Sequence, residues 1–489
     1  MVYFVGIKGT GVCALAELMF DSGIKVEGSD IPEVFYTDTI LKELKIPYYE
    51  NFDATRITSE IDMVVYSAAY NADTNPELAR AQELGIPMFK YTDALGEWSK
   101  KFDSTGICGV HGKTTTTALC GVCARAAGLP AQILVGSAAI DFGQPLASGR
   151  STLTLGDKYF IAETCEYRRH FLSFHPQRII LTSVESDHQD YFPDYESIRD
   201  AFIEYCRLLP SGGQLFYCAD DPGASEAADI IEKENRGIEL IPYGFTALGD
   251  YRIVSYDVEG EKAVFSIAGI PGEIKICVPG RHQALNAAAA IALTNALAKK
   301  EFGSLNEEKI QSIKTALENF KSTKRRSEII GETSGIIFMD DYGHHPTAIK
   351  TTLEGLKSFY PTRRLIVSFM PHTYSRTAAM LEEFSACFND ADVLFLHKIY
   401  ASARENYDVP LGQGGVNGET LYKEISAVRA ALNTASSEKE TYYIDEPDDA
   451  FKPLCGMLKD ADIFVTLGAG NNWPLGEKLY TYFKEVKHG

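Results

Sequence analysis

Short runs of β-branched and aromatic residues alternate, through most of the chain, with longer stretches whose apolar residues recur at helical spacing. That alternation predicts parallel α/β sheets. The first run, Val2–Val5, leads through a glycine-rich turn into an apolar helix over Val12–Phe20. Further strands are predicted at Ile24–Glu27, stopped by Gly28-Ser29-Asp30, and at Asp62–Tyr66, stopped by Ser67-Ala68-Ala69. A second unit opens with a strand at Thr105–Val110 and a helix at Thr115–Ala127, followed by strands at Tyr159–Glu163, Ile179–Val184 and Gln214–Cys218. From Arg252 to Val278 apolar and polar positions alternate, which predicts an antiparallel appendage. Ala284–Lys299 reads as a helix with an alanine-rich face for close packing. A third unit follows the basic run Lys321–Arg326, which reads as a linker, and carries strands at Gly335–Met339, Leu365–Phe369, Val393–Leu396 and Ile463–Leu467. The expected division is 1–101, 102–322 and 323–489.

The length of 489 residues agrees with three domains at roughly 100–200 residues each. A formal charge of −20 excludes a phosphate-backbone polymer as the organising partner, since that needs a basic surface. It does not exclude a small anion in a local cationic pocket. No run approaches the ~18 apolar residues of a membrane span, and the start, MVYFVGIKGTG, lacks the segments of a secretory signal. The ten cysteines are scattered and mostly sit in apolar runs, as reduced thiols of a cytoplasmic protein would.

The most specific local signal is Gly109-Val110-His111-Gly112-Lys113-Thr114-Thr115-Thr116-Thr117, after a predicted strand and opening a predicted helix. In a phosphate-cradling loop, glycines let backbone N–H groups close on the phosphates, Lys113 reaches the β/γ-phosphates and the Thr114 hydroxyl can hold Mg²⁺. Ile107 stands where the strict pattern has its first glycine, and Gly109 supplies that glycine instead. The alternative is a glycine-rich turn. Gly6-Ile7-Lys8-Gly9-Thr10-Gly11, with Asp30 further on, is spaced G-x-x-G-x-G. It misses the NAD fingerprint and leaves a nucleotide diphosphate, NAD or a structural turn open. Ala162-Glu163-Thr164-Cys165-Glu166 (AETCE) and Glu185-Ser186-Asp187-His188 (ESDH) follow buried strands, and their carboxylates and imidazole sit where α/β enzymes place ligands. They suit a cation near the phosphates, although imidazole is an unusual partner for magnesium, or they are polar strand ends facing water. Asp340-Asp341-Tyr342-Gly343-His344-His345-Pro346 offers substrate contacts, a structural loop, or a zinc site that lacks a third ligand at metal spacing. Cys120 and Cys123 fall on one helix and read as core. Tyr167-Arg168-Arg169 reads equally as a solvated loop or an anion clamp.

Taken in order, GVHGKTTTT, AETCEYRRHF, VESDHQDYF, PGRHQALNAAAA, DDYGHHPTAI, PHTYSRT and LGAGN resemble the Mur ligases, ATP-dependent enzymes that build the peptidoglycan stem peptide. The likeness spans nearly the whole chain. HGKTTTT, DDYGHHPT and PHxYxRT look most like the family's members that join L-alanine to UDP-N-acetylmuramate. The resemblance implies a Rossmann-like N-terminal domain for the UDP-sugar, a central P-loop ATPase-type domain with a mostly parallel sheet, and a Rossmann-like C-terminal domain for the amino acid. It implies ATP and Mg²⁺, L-alanine and UDP-N-acetylmuramate as substrates, and a monomer or weak homodimer. Gly9, Gly11, Asp30 and Ser67 would meet the sugar nucleotide. Gly109, His111, Gly112, Lys113, Thr114, Thr115 and Asn286 would meet ATP, the last at the adenine, with Arg326 and Asp341 clasping it from the C-terminal domain. Thr114, Glu163 and His188 would hold magnesium, and His345 and Arg376 would lie near the amino acid and substrate. The chemistry implied is phosphorylation of a carboxylate by ATP and attack of an amine on the acyl phosphate. A nucleotide-binding regulator without catalysis, or a relative that attaches a preformed peptide, are the alternatives.

Three positions and one segment depart from the family's pattern; the segment, Tyr48-Tyr49-Glu50-Asn51, lacks the Gly-His often found near the uridine. Lys8 replaces a glycine and would add positive charge for a diphosphate. Gln283 replaces an asparagine, and Thr373 replaces an arginine, leaving Arg376 to carry that charge alone.

Overall fold

The computed structural model describes residues 1–143, 149–401, 416–432 and 439–486. Four sheets organise the chain. The N-terminal sheet is all parallel, in the order Tyr48–Tyr49, Val26–Ser29, Val2–Val5, Met63–Tyr66, Met88–Lys90. This order, with the earliest strand central and helices between strands, is that of a Rossmann-like unit. The second strand begins and ends later than its hydrophobic run predicts. Gly28 pairs with Phe4 inside the sheet, and a Cβ there would lie 2.5 Å from the Phe4 carbonyl. A glycine that reads as a strand terminator is present because two backbones meet too closely for any side chain.

The middle sheet has seven strands, ordered Glu239–Tyr243, Gln214–Cys218, Arg178–Leu181, Asp103–Cys108, Tyr159–Glu163, Ala131–Ala139 and Arg150–Thr154. All pair in parallel except the last, an antiparallel edge. The strands Ile253–Val258, Ala263–Ile267 and Ile270–Ile276 form the antiparallel appendage that the alternation predicts. Helix Lys113–Ala127 packs against helix Arg281–Phe302, whose alanines 287, 288, 289, 290 and 292 are fully buried. Cys120 and Cys123 are buried in the same layer and unpaired.

The C-terminal sheet runs Glu328–Thr333, Ile336–Asp341, Asp462–Leu467, Arg364–Phe369, Val393–Leu396, Glu440–Tyr443, parallel apart from its first, antiparallel edge strand. The basic run before it is a fixed strap rather than a loose linker. Ser322 and Thr323 are 1% exposed, Lys324 N–H donates to the Ala138 carbonyl, and Ser137 Oγ donates to the Lys324 carbonyl at 3.0 Å. No described helix is long and apolar enough to cross a membrane.

The N-terminal unit docks on the middle one through helix Thr10–Asp21, which packs on strands Ala131–Ala139 and Arg150–Thr154. Glu17 is fully buried in this contact. Its Oε2 faces Arg150 Nε at 3.3 Å and accepts from Ser151 N–H at 3.3 Å, while Arg150 also reaches Asp21 at 2.8 Å. Burial pushes the Glu17 carboxyl up to about 7, against the opposing pull of Arg150. A carboxyl raised in the folded state gives stability that is full below its ordinary 4.5 and is lost as the pH climbs through about 7. The melting temperature of Glu17→Gln minus that of the wild type should therefore rise across that window and level off above it. A difference that stays flat from acid to neutral pH would contradict this reading.

Candidate active site

The strand Asp103–Cys108 runs into the loop 109–112 and then helix Lys113–Ala127. Gly109 and Gly112 have φ of +136° and +80°, which L side chains rarely adopt. The neighbouring chain braces the loop: Ser183 Oγ accepts from His111 N–H at 2.9 Å, and Thr182 Oγ1 donates to the Cys108 carbonyl at 3.0 Å. The strand predicted to reach Val184 stops at Leu181, because the residues after it turn to make these contacts. Asn286 lies behind the loop. It is 7% exposed, accepts from Thr116 Oγ1 at 3.2 Å and would meet a Cβ on Gly112 at 2.8 Å. Expected as an adenine contact, it stands against the loop at Gly112, and its Nδ2 donates to Gln283 Oε1 at 3.3 Å.

In front of the loop lies a cavity of about 830 Å³ walled by all three units. Thr10, Gly11 and Tyr91 come from the first, Lys113, Thr114, Glu163, Glu166 and His188 from the second, and Arg326, His345 and Arg376 from the third. Lys113 Nζ donates to Glu166 Oε2 at 2.9 Å and Oε1 at 3.1 Å, and His188 Nε2 lies 3.2 Å from the same Oε1. Burial would lower the Lys113 ammonium and raise the Glu166 carboxyl; their attraction wins, so the lysine is raised and the glutamate lowered. Glu166 is one of the AETCE carboxylates expected near the phosphates, and its pairing with Lys113 is not part of that expectation. Thr114 Oγ1 donates to Glu163 Oε1 at 3.1 Å, and Gly136 N–H donates to Glu163 Oε2 at 2.7 Å. A hydroxyl and a carboxylate converging in this way are hard oxygen donors that fit a cation such as magnesium. His188 shares Glu166 rather than Glu163, and it holds a φ of +56° that is strained for histidine.

Glu185 and Asp187, also from the quoted ESDH, join the middle unit to the third. Arg376 Nη2 and Nε donate to Asp187 Oδ1 at 2.7 and 3.0 Å, with both residues about 5% exposed or less. The Arg376 guanidinium lines the cavity but is committed to this carboxylate and to the His372 carbonyl. His111 Nε2 lies 2.9 Å from Glu185 Oε2, and His345 Nδ1 lies 3.9 Å from the same atom. Burial alone would raise Glu185; the His111 hydrogen bond and nearby His345 bring it down to about 2. His345 also caps helix Pro346–Phe359, accepting from Thr347 N–H. Burial, with His111 nearby, pushes its own imidazole down.

Other expected residues fall differently. Asp341 accepts from Ser327 N–H at 2.6 Å and Gly343 N–H at 2.7 Å, so both its oxygens hold the strap and the following loop, outside the cavity wall. Arg326 has its guanidinium 5.0 Å from the Tyr342 ring and, among the described residues, no carboxylate partner, whereas Arg325 is paired with Asp340 at 3.0 Å. In the first unit Gly11 abuts Tyr91, where a Cβ would come within 2.7 Å of the ring. Gly9 precedes helix Thr10–Asp21, and Ser67 is half-buried, accepting from Ala69 N–H. Asp30 is 4% exposed and accepts from Lys8 N–H at 2.7 Å and Tyr70 Oη at 3.1 Å, closing the glycine turn. Lys8 corrects its expectation. Its ammonium points away from the turn's mouth into Glu50 at 2.9 Å and Asp38 at 3.1 Å, with the side chain fully buried. Its charge is spent within the protein, not on a diphosphate. Arg168 is exposed and Arg169 pairs with Glu204, neither on the cavity wall, while Tyr167 is buried and donates to Asp190 at 2.7 Å.

The Asp187–Arg376 pair yields a stability prediction. Removing one partner of a buried pair strands the other, at a cost of about 3–5 kcal/mol. Asp187→Ala should lose that much in urea unfolding, and Asp187→Ala with Arg376→Ala should recover part of it. A single variant that loses under about 1 kcal/mol would place the pair in the surface class.

Residues 1–103 match the family model "Mur ligase family, catalytic domain", 107–294 match "Mur ligase middle domain", and 325–470 match "Mur ligase, glutamate ligase domain". A UDP-N-acetylmuramate–L-alanine ligase of Treponema pallidum is 48% identical over 99% of this chain and 97% of its own length. That of Borreliella burgdorferi is 39% identical over 98% of each. The crystal structure of a UDP-N-acetylmuramate-alanine ligase from Thermotoga maritima shares the fold at a TM-score of 0.75, with 23% identity over 99% of both chains. A murein peptide ligase from Psychrobacter arcticus follows at 0.63 and 22%, over 99% and 98%. With a glycine-turn unit, a phosphate-loop unit and a strapped third unit closing on one cavity, and with these full-length relatives, the chain belongs to the Mur ligase family.

Proposed function

We propose that this protein is an ATP- and Mg²⁺-dependent ligase that joins the amino group of L-alanine to the lactyl carboxylate of UDP-N-acetylmuramate, in peptidoglycan precursor synthesis. The observation that carries this reading is the single cavity walled by all three units around Lys113, which offers one place for three reactants. The choice of alanine as acceptor rests on the relatives that are 48% and 39% identical over nearly the full chain. In this reading residues 1–101 hold the sugar nucleotide, 102–322 hold ATP, and 323–489 bring the amino acid.

The reaction has to make a carboxylate electrophilic. Transfer of the γ-phosphoryl group of ATP gives an acyl phosphate, the alanine amine attacks its carbonyl, and phosphate leaves as the amide forms. Side chains here align reactants and neutralise charge more than they form bonds. Lys113 releases Glu166 and turns to the transferred phosphate, while the first N–H groups of helix Lys113–Ala127 face the same oxygens. Arg326, without a carboxylate partner among the described residues, is the cation available from the third unit. Thr114, Glu163 and His188 are the residues proposed to hold magnesium, which when bound neutralises phosphate oxygens. His111, Gly112 and Thr115 frame the ATP site, and Gly9, Gly11 and Ser67 the diphosphate side, with Asp30 acting through the turn it closes.

Purified protein given ATP, Mg²⁺, UDP-N-acetylmuramate and L-alanine should release phosphate only when all are present. No release, or release only when the tripeptide L-Ala-γ-D-Glu-meso-diaminopimelate replaces alanine, would overturn the assignment. Lys113→Ala should lower kcat by about 10²–10³-fold, the loss seen when one preorganised charge-stabilising donor is removed.

A further inference from the structure

We propose that His111, Glu185 and His345 form a binding site for a divalent transition metal of the zinc class, tying the phosphate loop to the third unit. It is separate from the Thr114–Glu163 position assigned to magnesium. Among the described residues this is the trio of His, Cys, Asp or Glu side chains whose ligand atoms converge, all lying within 4.8 Å of one another. The adjacent histidines 344 and 345 show no third ligand in sequence. The fold supplies two, from positions far away in the chain.

The donor chemistry selects the ion. Two imidazoles and one carboxylate suit zinc and its neighbours, whereas magnesium and calcium prefer oxygen alone. A tetrahedral ion at about 2.0–2.1 Å from each ligand sets the ligand atoms roughly 3.3 Å apart. The observed separations from Glu185 Oε2, 2.9 Å to His111 Nε2 and 3.9 Å to His345 Nδ1, bracket that value. The other nitrogen of His345 faces the Ser186 carbonyl at 3.2 Å. Donation of the second ring N–H to a carbonyl is the arrangement that fixes metal-binding histidines, since it turns the opposite lone pair toward the ion. That lone pair now takes only a long hydrogen bond, 3.3 Å, from Thr347 N–H. Thr347 Oγ1 in turn donates to Glu185 Oε1 at 2.6 Å, which leaves Oε2 directed at both rings. On binding, the His111 proton moves to its other ring nitrogen, and the ion replaces it between ring and carboxylate.

His111 and His345 both line the cavity, so the fourth position of the ion opens into it. His111 belongs to the phosphate loop and His345 caps the first long helix of the third unit. An ion held by both therefore binds only while these units are together, and it pins them there.

The test is titration of the full-length protein with Co²⁺ alone, without nucleotide or magnesium, followed by visible absorption. One equivalent of tetrahedral-type absorption, displaced by Zn²⁺, is expected. His345→Ala and Glu185→Gln should each weaken binding more than about 100-fold, beyond the loss from a supporting contact. His111→Ala, at a half-exposed position, should do the same, and circular dichroism confirms that each variant is folded. Excess Mg²⁺ added afterwards should not displace the Co²⁺. Absence of a stoichiometric site, retention of it in folded His111→Ala, or its displacement by Mg²⁺ would each overturn the proposal.

Discussion

Lys113 and Glu166 pair at 2.9 Å at the back of the cleft, 14% and 2% exposed, and the remaining charges around them answer the same constraint. A desolvated charge needs a partner, and a chain of net charge −20 has carboxylates to spare. Without substrates each cation near the cavity therefore holds an acid of its own: Lys113 has Glu166, Arg376 has Asp187, Arg325 has Asp340. Arg326 is the exception among the described residues, packed only on Tyr342. Two of these pairs are also joints. Asp187 with Arg376 fastens the middle sheet to the third unit, and Arg325 with Asp340 fastens the strap to its own sheet. The charges that would meet nucleotides and the charges that hold the units together are in large part the same ones.

This economy explains which residues could be read from the sequence. Glu163 ends a strand and Lys113, Thr114 and His188 lie in or just past the loops after strands, and a strand's C-terminal end fixes a short loop's place in an α/β sheet. Their neighbourhood was legible for that reason. Glu166, Glu185 and Asp187 lie within the same quoted segments, but their roles depend on partners up to 189 residues away, which no local pattern encodes. Lys8 misleads in the same way. Its position in a glycine turn suggests a phosphate contact, yet Asp38, in the helix Thr37–Leu44, and Glu50, just past strand Tyr48–Tyr49, claim it. The unusual lysine and the unusual Tyr48–Asn51 segment meet in one ion pair, between the buried Lys8 and the half-exposed Glu50.

The fold was legible where periodicity was strong and uncertain where glycine or a basic run interrupted it. The antiparallel appendage and the long alanine-rich helix follow from alternation and helical spacing. Gly28 reads as a stop but lies inside a strand, because the adjacent strand leaves no room for a side chain. The run Lys321–Arg326 reads as a linker but is anchored by backbone bonds to Ala138 and by the Asp341 carboxylate that grips Ser327. Asp341 thereby acts on the site at one remove: it orients the strap that presents Arg326.

In the proposed reaction Glu166 holds the place that phosphate takes at Lys113. The most direct measurement is ATP affinity of Glu166→Gln against wild type, by calorimetry in the absence of magnesium. Exchanging a carboxylate for an amide removes a competing charge-assisted contact while keeping its shape. About tenfold tighter ATP binding is expected in the variant, a difference of about 1.4 kcal/mol. Equal or weaker binding would contradict it, and would make Glu166 a support for Lys113 rather than a stand-in for the nucleotide.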